Sequence, residues 1–94
     1  MIVFNSKSAC YISRMLNSQN THLHSEVFFY DGLQSYRVID ITQINQVIEN
    51  KGGFQSILTG FSVYLDDGYK LELDVINSTS KLITNDNNQN LLYS

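Results

Sequence analysis

A single cysteine, Cys10, is the scarcest chemical resource in this 94-residue chain. With no second thiol there is no intrachain disulfide, and a reducing compartment is the expected setting. Cations are also few, standing singly at positions 7, 14, 37, 51, 70 and 81. Nucleic-acid binders concentrate cations on one face, because phosphate contacts supply most of the non-specific affinity. A nucleic-acid partner is therefore not expected. The nine carboxylates leave a net charge of −3, too modest for a mimic of DNA. No apolar run approaches the roughly 20 residues of a bilayer-spanning helix. The opening MIVF run is too short for the core of a signal peptide. No membrane partner is expected, and a cytoplasmic location is. Proline is absent, a feature to which no function attaches.

What is present is alternation. From Gly53 to Ile76 the chain reads as two long strands joined at Asp66-Asp67-Gly68. Phe61, Val63 and Leu65 alternate with polar residues going in, and Tyr69, Leu71, Leu73 and Val75 do so coming back. A two-residue loop would set Leu65 opposite Lys70 and Phe61 opposite Asp74, mixing dry residues with charge. A three-residue loop pairs Leu65 with Tyr69, Val63 with Leu71 and Phe61 with Leu73, so burial selects it. Gly68 supplies the positive φ such a loop needs.

A second hairpin is expected over Ser25–Ile39, turning at Asp31-Gly32. A two-residue loop there pairs Tyr30 with Leu33 and Glu26 with Arg37. Val27, Phe29, Tyr36 and Val38 then face the core. The opposite face carries Glu26, Phe28, Tyr30, Leu33, Ser35 and Arg37.

Two helices are expected. The first, from about Lys7 to Ser18, buries Ala9, Ile12, Met15 and Leu16, with Asn5 or Ser6 as its cap. The second, Asp40–Gly52, has Asp40 as N-cap, Gln43 in the capping-box position and Ile39 with Ile44 as a hydrophobic staple. Its buried stripe is Ile41, Ile44, Val47 and Ile48. Met1–Phe4 can form one more strand, and Lys81-Leu82-Ile83 a brief strand or a helical turn. The expected fold is α+β, a small antiparallel sheet of four or five strands in two hairpins with two helices, in the order β-α-β-β-α-β-β. The alternative is a β-roll or small barrel in which residues 41–51 are the one firm helix. One domain spans 1–84. A polar tail, 85–94, ends in the apolar Leu91-Leu92-Tyr93.

Candidate chemistry is thin. On a strand, His22, His24 and Glu26 would project from one face as potential zinc ligands, but no further ligand or supporting shell is visible in the sequence. Cys10 lies among residues of the buried helix stripe, which favours a packing role over a thiolate nucleophile. Asp66, Asp67, Glu72 and Asp74 cluster at a hairpin, where no cleft shifts their pKa values for acid–base work. No enzyme, metal site or cofactor is expected. The aromatic face of the first hairpin is the best candidate: Phe28, Tyr30 and Leu33 with Glu26 and Arg37 at its far end, and Tyr64 with Tyr69 as a second patch. Aromatic and Arg residues dominate interface hot spots. The expected function is therefore a non-catalytic protein-binding module whose partner is another protein or protein complex, or a second copy of itself in a homodimer. An inhibitor of the kind phages and mobile elements encode, sterically blocking a host macromolecular complex, is one form of it. A small-ligand or metal-binding domain is the alternative.

Overall fold

A computed structural model of the protein describes residues 1–84. Strand β1 (Ile2–Phe4) leads into helix α1 (Ala9–Gln19), then a 3-10 turn at Thr21–Leu23. Strands β2 (Val27–Tyr30), β3 (Ser35–Asn50), β4 (Gly53–Leu65), β5 (Tyr69–Asp74) and β6 (Thr79–Thr84) follow. All six strands form one sheet in sequence order. β1 runs parallel to β2, and every other neighbouring pair is antiparallel. The parallel pair needs a crossover between its strands, and α1 is that crossover. The fold is α+β, but the sheet is mixed and six-stranded instead of antiparallel with four or five strands. Among the described residues it carries one α-helix, not two.

The missing helix is the main correction. Residues 40–52 form the far half of β3 and its turn into β4. Seven of the eleven residues from Val38 to Ile48 are β-branched, a composition that fits a pleated surface better than a helix. The helical spacing that competes with it has a structural origin. The register slips between Val38 and Asp40, where a β-bulge places one extra residue on β3. Val38 and Ile41 are consequently both buried although three positions apart. A bulge in a strand thus imitates one turn of a helix. Asp40 caps nothing; its Oδ1 accepts from its neighbour Ile41 N at 2.9 Å. Gln43 accepts from Asn17 Nδ2 at 3.0 Å, tying β3 to α1.

The β4–β5 hairpin has the register its alternation predicts. Phe61 pairs with Leu73 and Val63 with Leu71, and Asp66–Gly68 forms the loop. Asp67 (φ 60°) and Gly68 (φ 78°) both adopt left-handed backbone there. The first hairpin differs in its turn. Tyr30 pairs with Ser35 and Phe28 with Arg37, so the loop is the four residues Asp31–Gln34. Two residues of slippage preserve the faces, and Val27, Phe29, Tyr36 and Val38 are all buried as expected. Asp31 selects the longer loop. Its carboxylate accepts from Leu33 N (2.8 Å), Gln34 N (2.9 Å) and Tyr36 Oη (2.9 Å).

The core lies between α1 and one face of the sheet. Ala9 and Leu16 come down from the helix onto Phe4, Val27, Phe29, Ile41, Phe61, Val63, Leu71 and Leu73. Phe4, Phe29, Tyr36 and Tyr69 continue it as a chain of ring contacts with centroids 5.4, 6.4 and 4.8 Å apart. The helix begins after Asn5, whose side chain accepts from Lys7 N and Ser8 N, and ends at Asn20 in left-handed backbone. The apolar segment Leu91-Leu92-Tyr93 lies outside the described residues.

Two substitutions test this account. A Cβ at Gly60 would stand 2.2 Å from the Leu73 carbonyl oxygen, where backbone cannot retreat. Gly60→Ala is expected to destabilise the protein by about 1–3 kcal/mol in urea unfolding. The hydrogen bonds to Asp31, those from Gln34 and Leu33 first, hold its pKa below the usual carboxyl range. A depressed folded pKa stabilises fully above the unfolded value and is lost as pH falls through the folded one. The gap in unfolding free energy between wild type and Asp31→Asn is therefore expected to narrow as pH drops from neutral through that range.

Candidate functional site

Helix α1 covers one face of the sheet, and among the described residues no element covers the other. The strand pairing brings together on that outer side Phe28, its cross-strand neighbour Arg37, and Tyr64 with its neighbour Lys70. Phe28 is half-buried, Tyr64 exposed, and the Lys70 ammonium lies 6.0 Å from the centre of the Tyr64 ring. Lys70 also pairs with Glu72 at 3.1 Å. Tyr30 shares the side, its hydroxyl donating to Gly32 O at 3.0 Å across the turn.

One expected member falls elsewhere, and another loses its expected strand partner. Leu33 belongs to the Asp31–Gln34 loop, 92% exposed, and not to the strand face. Glu26 precedes β2 and does not pair with Arg37, which stands opposite Phe28. Glu26 and Arg37 instead line a cleft of about 420 Å³ with His22, His24 and Ile39. Ile39, expected in a helix staple, is exposed at the bulge, and the run of β-branched residues around it is the sequence signal for a strand there.

The proposed zinc geometry does not form. His22 lies in the 3-10 turn and His24 caps it, so the two do not alternate on a strand with Glu26. His22 is buried, with Nε2 3.4 Å from Asp40 Oδ1 and Nδ1 unpartnered among the described residues. No group of three His, Cys, Asp or Glu side chains able to hold a metal gathers among them.

The carboxylates near the β4–β5 hairpin have structural work. Asp66 Oδ1 accepts from Arg37 N at 3.2 Å. Asp74 accepts from Asn77 N and Nδ2, closing the turn before β6, and these bonds lower its pKa. Cys10 contacts the Asp74 carbonyl oxygen through Sγ at 3.8 Å. Burial first, and the Asp74 charge second, push its thiol pKa up, against a smaller opposing effect of Arg14. A thiol held protonated is a poor nucleophile.

A second apolar feature emerges where the sequence reading placed a helix. β5 stops pairing with β4 at Gly60–Asp74, but β3 and β4 continue together to Asn50–Gly53. Residues 45–58 thus project as a two-stranded ribbon, with Val47 65% and Phe54 78% exposed. No protein family matches this chain, and neither does any curated protein or solved structure.

The chemistry of Cys10 has a direct readout. With its pKa raised and its sulfur part-buried, the thiol is expected to react with an aromatic disulfide reagent at least about tenfold more slowly in folded protein than in urea at the same pH.

Proposed function

We propose that this protein is a non-catalytic binding module that presents the open face of its sheet to another protein. The observation that carries the reading is that face itself. It sets Phe28, Arg37, Ile39 and Tyr64 on adjacent strands of a rigid sheet, opposite the helix-covered core. Such a surface offers aromatic and aliphatic side chains at little conformational cost, and the Arg37 guanidinium has no carboxylate partner among the described residues. The fitting partner is a protein surface with an apolar centre and a carboxylate placed to meet Arg37. Steric blockade of a larger complex, as in inhibitors from phages or mobile elements, is the mode of action this suits. A free thiol at Cys10 fits a reducing, cytoplasmic setting.

Capture from a lysate of the source cell tests the reading. Immobilised protein is expected to retain a partner in stoichiometric amount. The Phe28→Ala/Tyr64→Ala variant should weaken capture by about tenfold or more, with Arg37→Glu as an exposed substitution that leaves the core intact. A chain that retains nothing, or variants that retain as much as wild type, would overturn it.

A further inference from the structure

An exposed strand edge is a template for pairing, and natural sheets guard theirs with brevity, charge or proline. Three edges of this sheet are guarded. β1 is only three residues long, β6 carries Lys81 at its middle, and the edge of β3 beyond β2 carries Asp40 and Glu49. The fourth is not. From Gly52 to Leu65 the chain holds no Asp, Glu, Lys or Arg, and among the described residues the β4 edge beyond β5 is open over Phe54–Leu58. It ends where Val75 N donates to Thr59 O at 3.0 Å.

We infer that this edge pairs with the same edge of a second copy, in an antiparallel two-fold dimer centred on Ser56. The sequence is complementary to itself in that arrangement. Around Ser56, Phe54 meets Leu58 on one face and Gln55 meets Ile57 on the other, with no like charges opposed. Two ribbons, each marginal alone, become one four-stranded sheet. Val75 closes the β4 edge at Thr59, so the incoming strand pairs over Phe54–Leu58 and its tip lies against the end of β5. Beside that end lies a hollow of about 370 Å³ bordered by Thr59, Gly60, Asp74 and Ile76. The tip carries Lys51 and the hollow Asp74, and the two-fold axis makes that opposite-charge approach twice. The β3 edge would instead bring two acidic strands together.

Light scattering over a dilution series tests the dimer with the full chain. Wild type is expected at twice the chain mass, dissociating on dilution. Ser56→Lys, at an exposed position, is expected to raise the dimer dissociation constant by about tenfold or more through like-charge opposition. Gln55→Lys places the same charge on the strand's other face should Ser56→Lys fail to fold by circular dichroism. Ser35→Lys, exposed at the opposite end of the sheet, should leave the dimer unchanged. A monomer at every concentration overturns the inference, as does a dimer that ignores both β4 variants or yields only to Ser35→Lys. Because these variants leave Phe28 and Tyr64 untouched, the result is independent of capture by the open face.

Discussion

The pairing of β3 with β4 is the constraint on which the other elements depend. It runs from Val38–Leu65 to Asn50–Gly53 and passes through two irregularities. The bulge at Ile39–Asp40 turns Ile41 into the core beside Val38 and leaves Ile39 outside. The second irregularity leaves Thr59 outside the ladder register, and its hydroxyl donates to Ile44 O of β3 at 3.2 Å. Beyond it the ribbon continues without β5. Were the strands regular, the period-2 rule would send Ile41 outward and the core beneath α1 would lose one of its members.

The division of labour follows from that pairing. Below the second bulge the sheet has a partner on the helix side and serves the core. Above it, β3 and β4 have only each other, and apart from Leu58, which still packs against the core, the ribbon leaves Val47 and Phe54 exposed. Polar side chains hold the ribbon together at its tip: Asn50 accepts from Gly52 N at 2.9 Å and donates to Gln55 Oε1 at 3.1 Å. Geometry is therefore preserved where hydrophobic burial is absent, as an interaction surface requires.

Much of the sheet was legible in the sequence because alternation reports burial directly. Phe61, Val63, Leu71 and Leu73 gave both the faces and the register of β4 and β5. At the first hairpin the faces were legible but the turn was not. Asp31-Gly32 signals a tight loop, and what decides against it is the Asp31 carboxylate reaching the amides of Leu33 and Gln34. Residues 40–52 were illegible for a stronger reason. Asp40, Gln43 and Ile44 stand at capping-box and staple positions, and the bulge gives Val38 and Ile41 a spacing of three. Local signals favoured a helix, while the pairing that overrides them depends on a strand more than ten residues away. Both features shape the candidate site: the four-residue turn takes Leu33 off the strand face, and a strand in place of the expected helix leaves Ile39 and Val47 exposed.

The crossover through α1 also orders the assembly of the molecule. From β2 to β6 each strand pairs with the strand next to it in the chain, so every closure is a hairpin. β1 alone must reach β2 across the full length of the helix and the turn that follows. That step has the largest loop-closure entropy, offset by a ladder of only three residue pairs. The amino-terminal strand is thus the member of the sheet with the least local support from the chain around it.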